Sequence, residues 1–112
     1  IDVLTLDFGW CGGFTQALKM VEKTKATGIK IAPHDCTGPV GLIAGLHLSL
    51  ASENALIQET VRASLRTWYP HVVTDLPIIS GNRISLGQQA GLGTSLKKEF
   101  TDSKQMKILK IN

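Results

Sequence analysis

The sequence predicts an α/β fold made of three successive strand-helix units of a larger (β/α)8 barrel. Three apolar runs of strand length, at 1–6, 29–33 and 55–59, alternate with segments of helical periodicity. This alternation is typical of a parallel sheet covered by helices. Three parallel strands and two helices in isolation would expose two sheet edges and much apolar surface, which favours a piece of a barrel. A flavodoxin-like sheet would need more strands than the sequence predicts.

The first unit consists of a strand, a glycine-rich loop and an amphipathic helix. The strand covers 1–6, and three glycines within 9–13 predict the loop. Thr15 is expected to cap a helix over 16–27, whose apolar residues share one face. Gly28 lies where the C-terminus of that helix is expected.

The second and third units continue the same order. The nearly continuous apolar run at 29–33 is typical of a strand covered on both faces. Pro39 suits the first turn of the next helix, 40–51, which is apolar nearly all round and must be buried against something large. The run at 55–59 predicts the third strand, and 60–73 is expected to be irregular or partly helical.

We divide the chain into barrel units at 1–73 and a C-terminal tail at 74–112. Turn residues and short apolar runs organise the tail. Its predicted elements are short strands at 77–79 and 83–85 around a turn at 80–82, a weak helix at 96–100 and a terminal strand at 106–111.

Composition and charge exclude several classes of protein. The formal net charge is only +3, and the lysines lack interleaved aromatic residues, so they predict solvated helix faces and no nucleic-acid partner. No apolar stretch approaches the roughly 20 residues of a membrane span, so no membrane partner is expected. Cys11 and Cys36 are isolated thiols, which favours a reduced, cytoplasmic setting. Because the chain opens with Ile1 inside a strand, we expect a fragment of a longer protein.

An ionisable side chain follows each predicted strand: Asp7, His34 and Glu59. The C-terminal ends of parallel strands are where an α/β barrel presents its reactive groups. The recurrence of such groups, about one per strand-helix unit, predicts an enzyme. For Glu59 a structural cap or ion-pair partner remains an alternative.

The other candidate residues are assigned mainly structural positions. Asp35 is expected in an exposed Asx turn, His47 as a satisfied core histidine and His71 at the surface. Trp10 and Trp68 are expected either to line a pocket or to pack against neighbouring parts of the protein. Zinc binding by the cysteines is disfavoured because structural zinc usually needs four ligands with tight paired spacing.

Three motifs, in their order and spacing, resemble the last third of the barrel domain of the enolase superfamily. They are Asp7-Phe8-Gly9-Trp10-Cys11-Gly12-Gly13, Ala32-Pro33-His34-Asp35-Cys36-Thr37-Gly38-Pro39 and Asn54-Ala55-Leu56-Ile57-Gln58-Glu59. The most similar branch is the mandelate racemase/muconate lactonizing enzyme group, with its galactonate-type acid-sugar dehydratases. The tail motifs at 83–85 and 91–93 resemble the segment of that group that packs on a capping domain. The resemblance implies strands 6 to 8 of the barrel and this tail.

The resemblance also implies a site and a reaction. It makes His34 the general base, Asp7 its orienting partner and Glu59 an acidic stabiliser of the substrate. The reaction would abstract the α-proton of a sugar-acid carboxylate and eliminate water. Enolase-type sites offset the charge of the resulting enediolate with Mg²⁺. The family's metal ligands lie on earlier strands, so the resemblance implies that this chain carries no metal ligand and is inactive alone.

Two alternatives remain open. A racemase or epimerase of the same superfamily would use a second base outside this sequence. A noncatalytic structural or interaction fragment would instead use its apolar faces for association. The partners expected for the enzyme are a sugar-acid substrate, the rest of the barrel, the capping domain and further copies in a homo-oligomer.

Overall fold

The computed structural model describes residues 1–103, 107 and 109. A parallel pair of short strands, β1 (Val3–Leu4) and β2 (Lys30–Ile31), forms the centre of the first part of the chain. The other elements, in chain order, are α1 (Phe8–Cys11), α2 (Gly13–Ala26), α3 (Pro39–Ala51), α4 (Arg62–Arg66), α5 (Tyr69–Val72), β3 (Ile78–Ser80), β4 (Arg83–Ser85) and α6 (Lys98–Thr101). None of the helices within the described residues is both long enough and apolar enough to cross a membrane.

Parallel hydrogen bonding continues beyond β1 and β2, so the ends of the three predicted strand segments lie side by side. The His34 amide donates to the Leu6 carbonyl over 2.8 Å, so the backbone remains paired up to the residue before Asp7. On the other side of β2, the Leu56 amide donates to the Ile31 carbonyl over 2.9 Å. The order of the three predicted strands is therefore the order in space.

The third predicted strand is shorter than the 55–59 run suggests. Within the described residues it contributes one ladder residue, Ala55, which bridges Ile31 in parallel. Pro33 on the neighbouring segment has no amide hydrogen to donate. Its carbonyl accepts from the Gln58 side-chain amide at 3.1 Å and from the Glu59 main-chain amide at 3.3 Å. The regular ladder is therefore interrupted after Leu56, and one main-chain hydrogen bond still ties Glu59 to the neighbouring segment.

The start of the first long helix corrects the prediction for Thr15. Residues 8–11, expected to be loop, form the short helix α1, and Gly12 follows with a φ of 98°. This left-handed conformation suits glycine and turns the chain directly into α2, so Thr15 lies inside that helix and does not cap it. The end of α2 agrees better with expectation, because Gly28 has a φ of 74°.

Apolar residues of α1, α2, β2 and α3, together with Leu6 before α1, form a buried core cluster. It contains Leu6, Phe8, Ala17, Val21, Ile31, Ala44 and Leu48. Helix α3 begins at Pro39, as the sequence predicts, and buries most of its circumference, although Val40 and Leu50 remain exposed. A Cβ at Gly45 would lie 3.1 Å from the Pro33 side chain, so this helix approaches β2 closely where β2 leads into His34.

The tail follows its predicted elements with two shifts, since β3 lies one residue later than the predicted 77–79 and α6 also begins later than predicted. Strands β3 and β4 pair antiparallel around Gly81, which has a φ of 60°. Helix α6 begins at Lys98 and not at Leu96, because Leu96 forms an antiparallel bridge with Val73. The predicted strand at 106–111 lies largely outside the described residues, and the division at 73/74 stays a prediction.

Candidate active site

The C-terminal ends of the three parallel segments bring Asp7, His34 and Glu59 together. Nδ1 of His34 lies 3.1 Å from Oδ2 of Asp7, and Nε2 of the same ring lies 3.7 Å from Oε2 of Glu59. The imidazole is thus placed between two carboxylates that follow different strands. Its side chain is 36% exposed, which leaves the ring accessible from solvent.

Asp7 is held in place from three directions. Its Oδ1 accepts a 2.7 Å hydrogen bond from the Gly9 amide as the N-cap of α1, and the Thr37 hydroxyl donates to the same oxygen over 3.5 Å. Its Oδ2 faces Nδ1 of His34. An ionised carboxylate can only accept hydrogen bonds, so this contact favours the tautomer of the neutral imidazole in which Nδ1 carries the ring proton and Nε2 carries the lone pair.

Glu59 is positioned by the backbone beside the histidine. The Asp35 amide donates to Oε2 of Glu59 over 3.0 Å. The 3.7 Å between this oxygen and Nε2 of His34 is too long for a hydrogen bond. Glu59 therefore has one structural hydrogen bond, which is neither a helix cap nor an ion pair, and within the described residues its Oε1 has no hydrogen-bond partner.

The prediction of an exposed Asx turn at Asp35 is wrong. This carboxylate is 1% exposed, accepts from the Val61 amide over 2.7 Å and accepts from the Tyr69 hydroxyl over 2.5 Å. Burial, and next the hydrogen bond to Asp35, raises the pKa of Tyr69. Side chains of adjacent residues in extended backbone point to opposite sides, so an exposed His34 was the signal that Asp35 points inward.

Cys36 completes a cluster that its sequence spacing did not reveal. Its Sγ lies 3.4 Å from Nδ1 of His34 and 3.7 Å from Oδ2 of Asp7. Desolvation of the thiol raises the pKa of Cys36, and the negative charge of Asp7 raises it further. The thiol therefore stays protonated near neutral pH and donates to Asp7. Cys11 donates instead to the Gly13 carbonyl.

Cavities open on two sides of the histidine. One of about 450 Å³ is lined by Asp7, Trp10, Met20 and His34, among others. Another of about 500 Å³ is lined by His34, Gln58 and Glu59 with their neighbours. Trp10 is 82% exposed and lines the first cavity, which fits both alternatives for this residue, a pocket wall or a contact with another part of the protein.

The remaining candidate residues lie away from this cluster. The Nε2 of His47 lies 3.2 Å from the Leu92 carbonyl, so this histidine is satisfied as predicted, but it is half-buried and not in the core. His71 is exposed, also as predicted. Trp68 packs edge-on against Tyr69, with ring centroids 4.5 Å apart.

Comparison with known proteins assigns the family. Residues 1–100 match the family described as enolase C-terminal domain-like. The chain belongs to this family. This confirms the predicted fold class, the C-terminal part of a (β/α)8 barrel.

Solved structures resemble this enolase C-terminal-like chain over most of its length. An enolase of the mandelate racemase subgroup from Agrobacterium tumefaciens, with a succinimide residue, sodium and phosphate, is 45% identical with a TM-score of 0.82. An enolase from Pantoea ananatis with bound D-gluconate and magnesium is 26% identical with a TM-score of 0.79. A mandelate racemase/muconate lactonizing enzyme from Jannaschia sp. CCS1 is 24% identical with a TM-score of 0.83 and shares the fold.

The enolase C-terminal-like chain corresponds to a small part of these proteins. The matches cover 88%, 87% and 97% of this chain but 27%, 23% and 28% of the three solved chains, respectively. The chain therefore spans about a quarter of the length of these solved structures.

Magnesium does not fit the donor atoms that this segment brings together. Within the part of the chain that the structure describes, Asp7, His34 and Cys36 form a group of potential metal ligands. The group offers one carboxylate, one imidazole and one thiol, whereas Mg²⁺ prefers an octahedral shell of oxygens. That the Mg²⁺ ligands lie outside this segment stays a prediction.

Proposed function

We propose that this chain supplies the base side of the active site in an acid-sugar dehydratase, which abstracts the α-proton of a sugar-acid carboxylate and eliminates water. The observation that carries the proposal is the placement of His34, with Asp7 on Nδ1 at 3.1 Å and a solvent-accessible Nε2 facing Glu59. A buried carboxylate behind an accessible imidazole is the arrangement that general-base catalysis needs.

Asp7 determines which ring nitrogen of His34 acts as the base. Because its Oδ2 accepts a hydrogen bond from Nδ1–H, Nε2 keeps its lone pair, on the side of the ring that faces Glu59 and beside the cavities that His34 lines. When Nε2 takes the α-proton, the ring becomes an imidazolium, and the adjacent Asp7 carboxylate stabilises that charge. The Gly9 amide and the Thr37 hydroxyl hold Asp7 still, so little reorganisation accompanies the transfer.

Glu59 is assigned to the substrate's carboxylate group. Its Oε2 accepts from the Asp35 amide, which leaves Oε1 to hydrogen-bond the enediolate oxygen when Glu59 is in its carboxylic acid form. The electron pair released from the C–H bond forms the enediolate. When the enediolate collapses, that pair forms the bond between Cα and Cβ, and the Cβ–O bond breaks with its electrons on the departing hydroxyl. That hydroxyl leaves as water after it receives a proton from His34 or from an acid outside this segment. The enol product then tautomerises to the 2-keto-3-deoxy acid.

The substrate class rests on two lines of support. The cavities beside His34 are lined by both polar and apolar residues, which suits a small hydroxylated acid. The similar Pantoea ananatis enolase binds D-gluconate and magnesium. We assign to the complete protein an Mg²⁺ ion, which supplies charge stabilisation when bound and whose ligands lie outside this chain.

Exposed apolar residues support the proposed partners within the protein. Val3 on β1 and Leu56 and Ile57 on the third segment are 37%, 57% and 57% exposed. They flank the two open edges of the parallel segments, where we place the rest of the barrel. The capping domain and a homo-oligomeric assembly belong to the same proposal.

The test uses the full-length protein that carries this segment. Purified protein is incubated with Mg²⁺ and a panel of aldonic and aldaric acids, and 2-keto-3-deoxy products are measured. His34→Asn should lower kcat by at least about 10³-fold, whereas the matched variant His71→Asn at an exposed position should not. Dehydration that persists in His34→Asn would exclude the proposed base, and α-proton exchange in D₂O without dehydration would favour the racemase alternative.

A further inference from the structure

Three side chains that follow two neighbouring strands surround one point in space. Nδ1 of His34 lies 3.1 Å from Oδ2 of Asp7 and 3.4 Å from Sγ of Cys36. The Asp7 oxygen and the Cys36 sulfur are 3.7 Å apart. The nitrogen, oxygen and sulfur atoms thus form a small triangle with sides of 3.1, 3.4 and 3.7 Å.

This triangle has the dimensions of one face of a tetrahedral zinc site. Zinc binds oxygen and nitrogen at about 2.0–2.2 Å and sulfur at about 2.3 Å, which places tetrahedral ligand pairs about 3.3–3.6 Å apart. The three measured separations agree with these values to within about 0.3 Å. Side-chain adjustments of that size need no movement of the backbone.

Accessibility leaves room for a fourth ligand. Cys36 is exposed and the His34 side chain is 36% exposed, so a water molecule can reach the open side of the triangle. Three protein ligands and one water form a common coordination shell for Zn²⁺. A thiolate and an imidazole also select borderline-soft cations over Mg²⁺.

We propose that Asp7, His34 and Cys36 form a binding site for a soft divalent cation of the Zn²⁺ type, and that its occupation switches off the base. The cation would bind Nδ1 of His34, Oδ2 of Asp7 and the deprotonated Sγ of Cys36. The thiol proton is released to solvent, and the ring proton moves from Nδ1 to Nε2. Protonated Nε2 has no lone pair with which to accept the α-proton. The inhibition by the bound cation therefore rests on the proposed function, in which Nε2 is the base.

The binding part is tested without reference to turnover. Full-length protein is titrated with Co²⁺, a spectroscopic substitute for Zn²⁺, in the presence of excess Mg²⁺ that occupies oxygen-rich sites. The expected result is a thiolate-to-cobalt charge-transfer band that saturates at one Co²⁺ per chain and disappears when Zn²⁺ is added. Cys36→Ser should abolish the band, and the matched variant Cys11→Ser should retain it. A band that persists in Cys36→Ser, or no band in the wild-type protein, would overturn the proposal.

The inhibitory part is tested by the concentration of free Zn²⁺ that halves the rate. Each variant is compared with its own rate in chelator-treated buffer, and Cys36→Ser should need at least about tenfold more Zn²⁺ than Cys11→Ser. Equal inhibition of the two variants would refute the coupling between the site and the base. If the protein has no dehydratase activity, the cobalt titration still decides whether the site exists.

Discussion

The main-chain amide of Asp35 donates a 3.0 Å hydrogen bond to Oε2 of Glu59. The residue after the proposed base therefore holds the proposed acid, and the Asp35 carboxylate secures the same contact through the Val61 amide and the Tyr69 hydroxyl. A buried carboxylate outside the reacting trio thus ties the His34 and Glu59 segments together. The distance between base and acid depends on residues far apart in sequence.

Removing the Tyr69 hydroxyl should destabilise the protein. Tyr69→Phe leaves Oδ1 of the buried Asp35 carboxylate without its donor, which we expect to cost about 1.5–3 kcal/mol of unfolding free energy. Urea denaturation of the full-length protein measures this loss. In an Asp35→Asn background the same substitution should cost less, because the two residues share one interaction. Equal costs in both backgrounds would show that the Tyr69 hydroxyl acts independently of Asp35.

Replacing Asp7 by Asn should disable the base while preserving local structure. Asn still caps α1 through its amide oxygen, but the neutral group no longer stabilises an imidazolium or specifies the Nδ1–H tautomer. A comparable Asp→Asn change in a Ser-His-Asp triad lowers kcat by about 10⁴-fold, and we expect a loss of about 10³–10⁴-fold here. Steady-state kinetics measures it, with exposed Asp2→Asn as the control. A loss below about tenfold would contradict the role assigned to Asp7.

Glu59→Gln should lower kcat more than it alters KM. The Gln side-chain oxygen can still accept from the Asp35 amide, so the segment stays in place, but the group can no longer offer a carboxylic acid to the enediolate. We expect a loss of about 10²–10³-fold in kcat. Glu53→Gln is the matched control, because Glu53 is an exposed residue paired with Lys25 at 2.6 Å. Similar kinetics for the two variants would assign Glu59 a structural role.

Alkylation of Cys36 should require a higher pH than that of an ordinary thiol. The pKa of Cys36 is raised, so a smaller fraction of the thiol is in the reactive thiolate form at a given pH. The midpoint of the pH profile of the alkylation rate should therefore lie above the usual cysteine pKa of about 8.5. Iodoacetamide labelling, followed by mass spectrometry of the peptide that contains Cys36, measures the profile. Asp7→Asn removes one cause of the raised pKa, so its profile should shift to lower pH. A wild-type midpoint at or below 8.5 would contradict the raised pKa.

Local patterns in the sequence determined the order of the elements. Pro39 begins α3, Gly28 follows the end of α2 and Gly81 turns the β3-β4 hairpin, because each conformation depends on the residue itself and its neighbours. The placement of Asp7, His34 and Glu59 after successive apolar runs also followed from the sequence, since parallel strands end at one edge.

Tertiary structure alone decided the contacts that tune the site. Asp35 binds Tyr69 across 34 positions, and Cys36 meets Asp7 across 29. Such pairs depend on the direction that the backbone takes after each strand. Helix α1, whose N-cap is Asp7, was predicted as a loop. A periodic pattern reports which face of an element is buried, whereas a hydrogen bond needs two side chains placed to within a fraction of an ångström. That precision arises only when the packed elements fix the backbone at both ends.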